Sequence, residues 1–133
     1  MGYRSQVVLA IAPEAAHAFM ALQAKHPEVM ELCNDADDFT SGYAQPGDWF
    51  MHWSHIKWYD SFSEVARLQE FIDALDSDDL SEYGEPEPPK RPDGTIDQWG
   101  EYFKFIRIGE DNDDLAEKGW GFDDIQIMRQ ISF

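Results

Sequence analysis

The stretch GDWFMHWSHIKWY, residues 47 to 59, limits the fold more than any other, because it holds three of the chain's five tryptophans and two of its four histidines. In a strand, successive side chains point to opposite faces. Trp49, Met51 and Trp53 then project one way and Phe50, His52 and Ser54 the other. Neither face is polar, so a sheet built on this strand needs a core on one side and partial cover on the other. A one-residue bulge near Ser54–His55 would carry Ile56 and Trp58 onto the Trp49 face. His52, His55, Lys57 and Tyr59 would then lie mainly opposite. Ordinary core burial accounts for most of the aromatic content.

The flanking segments carry the periodicities of an α+β domain. Residues 2–12 alternate, with Val7, Leu9 and Ile11 on one face. This reads as a first strand, although the apolar N-terminus superficially fits a signal sequence. Pro13 suits the first turn of a helix, where its missing N–H costs nothing. Steps of about 100° then place Ala15, Ala18, Phe19, Leu22 and His26 on one side. Pro27 breaks or restarts that helix, and PEVMELCND adds a short turn. Pro46-Gly47 fits the centre of a type II turn, so the aromatic runs around it form a hairpin. Ser61 with Glu64 is a capping-box pattern, with Asp60 as the other candidate cap. Beyond it Val65, Leu68, Phe71, Ile72 and Leu75 share one helical arc, and Glu70 and Asp73 point away. Residues 76–100 contain four prolines, three glycines and many acids, and read as a long loop. EYFKFIRIG and DIQIMRQISF alternate as strands, the second with Ile125, Ile127, Ile131 and Phe133 on one face. Between them EDNDDLAEKGWGF reads as one helical turn, capped by Asp111 and ended near Gly119.

The element order predicts a single α+β domain over residues 1–133. Its antiparallel or mixed four- to five-stranded sheet takes in residues 3–11, 39–45, 49–58, 102–108 and 125–132. Two helices pack on one face, as in a ferredoxin-like variant with an extra strand.

Charge narrows the class of partner. Twenty-seven acids face ten bases, a net charge of −17, beyond the magnitude of about 2–8 usual for a small soluble domain. Such a surface repels nucleic acid and anionic membrane and attracts basic proteins. Eight acids lie between Glu70 and Glu87, with no Lys or Arg before Lys90, and five more between Glu110 and Glu117. The candidate partner-binding residues are therefore Glu70, Asp73, Asp76, Asp78, Asp79, Glu82, Asp111, Asp113 and Asp114, with Trp53 and Trp58 as candidate aromatic anchors. The plainer alternative is a solvated surface or a salt-tolerant host. No apolar run reaches the roughly 18 residues of a membrane span. Cys33 stands alone, which precludes an intramolecular disulfide and points to a reducing, cytoplasmic setting.

Signatures of chemistry are missing. His52 and His55 are three apart, a spacing that converges on a helix and diverges on a strand, so no metal is expected. DNDDLAEKG lacks the Gly and terminal Glu spacing of a calcium loop. There is no phosphate-cradling Gly-rich loop, no nucleophile elbow and no partnered cysteine, so neither a cofactor nor an enzymatic activity is expected. His17 reads as solvated and His26 as binding the last helical carbonyls. Lys104 and Arg107 lie on a strand with Tyr102, Phe103 and Phe105, but two bases in an acidic chain make a poor nucleic-acid footprint.

The opening MGYRS, the run YFKFIRIGED followed by acids, and the closing RQISF resemble small acidic uncharacterised proteins of phages and prophages. The resemblance touches both ends and about a third of the chain, and no activity travels with it. What it implies is a phage or prophage genomic setting, hence a host-cell cytosol, in which small acidic proteins often act by occupying host proteins, including defence nucleases, some by imitating the charge of DNA. Two readings follow. In the first, an acidic face binds and inhibits such a host protein, a defence nuclease met by imitating nucleic-acid charge being the sharpest case and a toxin-neutralising immunity protein a sister case. In the second, a small ligand-binding domain or enzyme has its pocket beside Trp49, Trp53, His52 and His55.

Overall fold

The computed structural model describes residues 3–85, 87–90, 92–95, 97–111, 114–127 and 131–132, without the side chains of residues 126, 127, 131 and 132. Its centre is β1 (Ser5–Ile11), in which every residue from Val7 to Ile11 is fully buried. Two neighbours satisfy its backbone: β3 (Trp49–Ile56) on one edge and β4 (Phe103–Ile108) on the other, both antiparallel. Leu9 lies opposite Met51 and Phe105, and Ile11 opposite Trp49 and Phe103. β2 (Asp38–Ser41) and β5 (Leu115–Lys118) complete the sheet in the order β2-β3-β1-β4-β5, antiparallel throughout. β3 thus lies between β1 and β2, and β1 between β3 and β4. Each helical connection spans one inserted strand, as in a pair of interleaved split β-α-β units.

One face of the sheet carries three helices, where two were expected. α1 (Pro13–Lys25) and α2 (Pro27–Asn34) both begin on a proline, so Pro27 restarts the helix as a second one of two turns. Ala15, Ala18, Phe19 and Leu22 are buried as the periodicity requires; Gln23 is buried too, and His26 sits at the junction, its backbone N–H donating to Leu22 O. α3 (Ser63–Asp76) buries Val65, Leu68, Phe71, Ile72 and Leu75. It starts after Phe62 without a side-chain cap, so the capping box expected at Ser61 is not formed. These side chains meet Val7, Leu9, Ile11, Met51, Trp53, Phe103 and Phe105 in one core.

The opposite face has its own, smaller cluster: Val8, Ala10, Phe50, Ile106 and Ile125, edged by Tyr43, Ile108 and Phe122. The C-terminal third departs from the sequence expectation in two places. Residues 115–118, read as a helical turn, form the edge strand β5, because pairing Leu115 with Ile108 and Lys118 with Phe105 overrides the helical propensity of Leu-Ala-Glu-Lys. The described residues of the segment 125–132 do not enter the main sheet. They form a separate two-stranded element, β6 (Gln126–Ile127) with β7 (Ile131–Ser132), while Ile125 is buried over the second face. Phe133 and the side chains of Ile127 and Ile131, on which the expected shared face depends, lie outside the described residues.

The segment 76–100 is anchored at several points. Leu80, Tyr83 and Trp99 are buried in the main core, Tyr83 edge-on to Phe71 with ring centroids 5.1 Å apart. Asp78 adopts a left-handed φ of 58°, and its carboxylate accepts the Trp99 backbone N–H at 2.7 Å.

The β2–β3 connection turns on a residue that periodicity does not single out. Asp48 is completely buried. One of its carboxylate oxygens accepts the backbone N–H groups of Gly42 and Tyr43, and the other those of Ala44 and Gln45, at 2.8–3.0 Å. Gly47, at φ 88°, takes the turn position that only glycine occupies without strain. A buried carboxylate with four donors is electrostatically satisfied and fixes the whole loop. Asp48→Asn replaces one acceptor oxygen by a donor and should cost about 1.5–3 kcal/mol, read as a shift of the urea midpoint; a loss below about 0.5 kcal/mol would show that the loop closes without it. Leu68→Ala should cost about 2–5 kcal/mol, and a loss under 1 kcal/mol would remove α3 from the core.

Candidate functional site

The structure gathers part of the acidic set. Glu70, Asp73, Asp79 and Glu82 line a groove of about 550 Å³ between the end of α3 and the turn at Ser81–Tyr83. Arg67 pairs with Glu70 at 2.9 Å and Lys118 with Asp73 at 2.6 Å, so two cations answer four acids. Asp79 accepts the Ser81 hydroxyl at 2.6 Å and its backbone N–H at 3.1 Å, which hold its carboxyl below the usual range. Asp76 is exposed at the end of α3, outside the groove lining. Asp78 is occupied in capping Trp99.

The second acidic run is consumed more fully. Asp114 accepts the Tyr3 hydroxyl at 2.6 Å and pairs with Arg107 at 3.0 Å. Tyr3 Oη in turn accepts the Asp111 backbone N–H at 3.0 Å, and Glu110 accepts that of Arg4 at 2.8 Å. These contacts tie the start of β1 to the β4–β5 turn. They need Gly109, since a Cβ there would overlap both the Tyr3 hydroxyl and the Asp114 carboxylate. The side chain of Asp111 is exposed, and Asp113 lies outside the described residues.

The aromatic anchors are placed differently from each other. Trp53 is 3% exposed and donates its indole N–H to Leu32 O at 3.0 Å, so it belongs to the core and offers no surface. Trp58 is half-buried, packs against Trp53 and Phe105, and donates to Gln69 at 3.0 Å. Trp120, unremarked in the sequence, is 52% exposed.

The bulge expected at Ser54–His55 is present. Between Val7 and Ser5 the partner strand advances from Trp53 to Ile56, three steps against two. Ile56 and Trp58 thereby join the core face with Trp49, Met51 and Trp53. Asp37 fixes the bulge by accepting the Ser54 N–H at 2.6 Å and hydroxyl at 2.8 Å, and both bonds lower its pKa. At this end of the sheet a groove of about 1010 Å³ opens, lined among others by Arg4, Gln6, His55 and Lys57.

His52 and His55 diverge. His52 lies on the second face near Gln6 Nε2 at 3.1 Å and Asp38 Oδ2 at 3.4 Å, whereas His55 is exposed on the groove rim. The pocket imagined beside Trp49, Trp53, His52 and His55 is therefore not formed by those four residues together. Among the described residues no three His, Cys, Asp or Glu side chains converge as metal ligands, and no helix is long and apolar enough to cross a membrane. Lys104 is nearly buried and reaches Glu117 at 3.3 Å, and Phe103 and Phe105 face the core, so these strand residues present no stacking platform. Cys33 is buried, which pushes its thiol pKa up to about 12. No protein-family model matches the chain, and neither curated proteins nor solved structures give a match.

Tyr3, Asp48 and the cationic groove escaped the sequence reading because their partners are remote along the chain or lie in backbone amides. The Tyr3 hydroxyl is the main cause of the lowered Asp114 pKa, with Arg107 adding to it. A depressed carboxyl stabilises the fold at pH above its unfolded value and loses that contribution as pH falls through the folded one. Tyr3→Phe should therefore raise the Asp114 pKa toward the ordinary value of about 3.9, as read by carboxyl-detected NMR titration. An unchanged Asp114 titration would assign the shift to Arg107 alone.

Proposed function

We propose that this protein works by binding a basic protein through the acidic face formed by the end of α3 and the segment after it. The observation that carries the reading is the convergence of Glu70, Asp73, Asp79 and Glu82 on one groove, with Asp76 beside it, against only Arg67 and Lys118. Exposed ion pairs contribute little and exchange partners readily, so an incoming Arg or Lys can replace Arg67 or Lys118 at small cost. With a net charge of −17, the protein's field draws cationic surfaces in before contact is made. Inhibition of a host protein, with a nuclease channel as the sharpest case, fits this surface, as does neutralisation of a toxin by an immunity-type protein. DNA presents one charge about every 1.7 Å of axis, and the groove offers a short, coarse version of that density.

The test begins with capture of partners from a bacterial lysate at low salt and elution at high salt. Association is then timed with the triple variant Glu70→Gln, Asp76→Asn, Glu82→Gln. Asp78 is left intact because its carboxylate caps Trp99. Association at low salt should slow by about tenfold, and its salt dependence should flatten, while dissociation changes less. Unchanged association rates toward every captured partner would make this face a solvated surface only.

A further inference from the structure

The groove at the bulged end of the sheet departs from the charge pattern of the rest of the chain. Four described cations, Arg67, Lys104, Arg107 and Lys118, each hold a carboxylate. Arg4, His55 and Lys57 line the groove, and among the described residues none of their side chains makes an ion pair or hydrogen bond. In a chain with 27 acids and ten bases, cations left over from pairing should be scattered, yet here two cations and an imidazole face one cavity. One carboxylate, Glu110, lines the groove itself and accepts the Arg4 backbone N–H at 2.8 Å. Asp37, held by both donors of Ser54, lines an adjoining groove with Asp35 and Glu64, and Arg4, His55 and Lys57 border both.

The wall is built by backbone devices. The extra residue of the bulge leaves Ser54 and His55 exposed at the end of β3, and Tyr3 ties the strand opposite to the β4–β5 turn. Arg4 and Lys57 are thus presented from just beyond the paired ends of the adjacent strands β1 and β3, flanking a site that already exists before a ligand arrives. A guanidinium offers forked donors that match phosphate or carboxylate oxygens, and an ammonium adds a point charge. A cavity of about 1010 Å³ is at the upper end of the range for small-molecule sites.

We propose that this groove binds a small polyanion carrying phosphate or carboxylate groups, held by Arg4, Lys57 and His55. The site is independent of the acidic face, since it shares no lining residue with the groove at Glu70–Tyr83.

The experiment titrates the full chain with inorganic pyrophosphate and, separately, with citrate, at about 0.15 M salt, where the Debye length is about 8 Å. Amide NMR shifts should saturate and be confined to residues 4–6, 54–57 and 108–110. Saturation by pyrophosphate alone assigns a phosphate ligand, and by citrate alone a carboxylate; either supports the site. Arg4→Gln with Lys57→Gln should weaken binding about tenfold or more, whereas Lys25→Gln with Lys90→Gln, the same change in net charge, should alter it less than about twofold. Should the first pair fail to fold, Arg4→Gln alone, at an exposed side chain, carries the test. No saturation by either anion below about 10 mM, shifts spread over the whole surface, or equal losses in both pairs would overturn the proposal.

Discussion

A strand with no exposed side is the constraint on which the rest of this structure depends. β1 is hydrogen-bonded along both edges and buried on both faces from Val7 to Ile11. At roughly 1.5–3 kcal/mol for each large aliphatic side chain removed from water, Val7, Val8, Leu9 and Ile11 are a large share of the driving force. They act only if both faces are covered. Three helices cover one, and Ile125 and Phe122 close over the other beside Phe50 and Ile106 of the neighbouring strands. The chain's C-terminal third thus pairs beside β4 through β5 and also caps the second face through Ile125 and Phe122.

The large negative charge is compatible with this core because the acids stay at its edge or are answered. Among the described residues Asp48 and Lys104 are the buried charged side chains, and each is satisfied: one by four amides, the other by Glu117 and Gly119 O. The remaining acids differ in availability. Asp114 and Asp78 secure the chain to itself, whereas Asp76 and Glu82 make no such contact among the described residues. A count of carboxylates therefore overstates what is free to meet a partner.

What could be read from residues alone follows from how local each signal is. The α3 arc, the alternation of β1, the Pro46-Gly47 turn and the Ser54–His55 bulge rest on spacing within a few residues, and the structure has all of them. The β5 segment reads as a helical turn from its local signals, a cap at Asp111 and an end near Gly119, and only its neighbour β4 makes it a strand. Of the candidate site, the clustering of Glu70, Asp73, Asp79 and Glu82 was legible because they are close in sequence. The placing of Trp53 was not, since a strand residue's cover comes from α2, whose Leu32 carbonyl takes its indole N–H. The groove of Arg4, His55 and Lys57 needs the ends of three strands brought together, which no single segment encodes.

The bulge in β3 also gives the strand a parity. Before it the core side chains are odd-numbered, Trp49, Met51 and Trp53; after it the even-numbered Ile56 and Trp58 take over. A sheet alternates strictly by two, so one residue more or less reverses every later position. Loss of either Ser54 or His55 would therefore turn Ile56 and Trp58 away from the core without altering any apolar residue. In the divergence of such a protein, this pair should tolerate exchange of residue type far better than a change of length, and the groove beside it would inherit that rigidity of count.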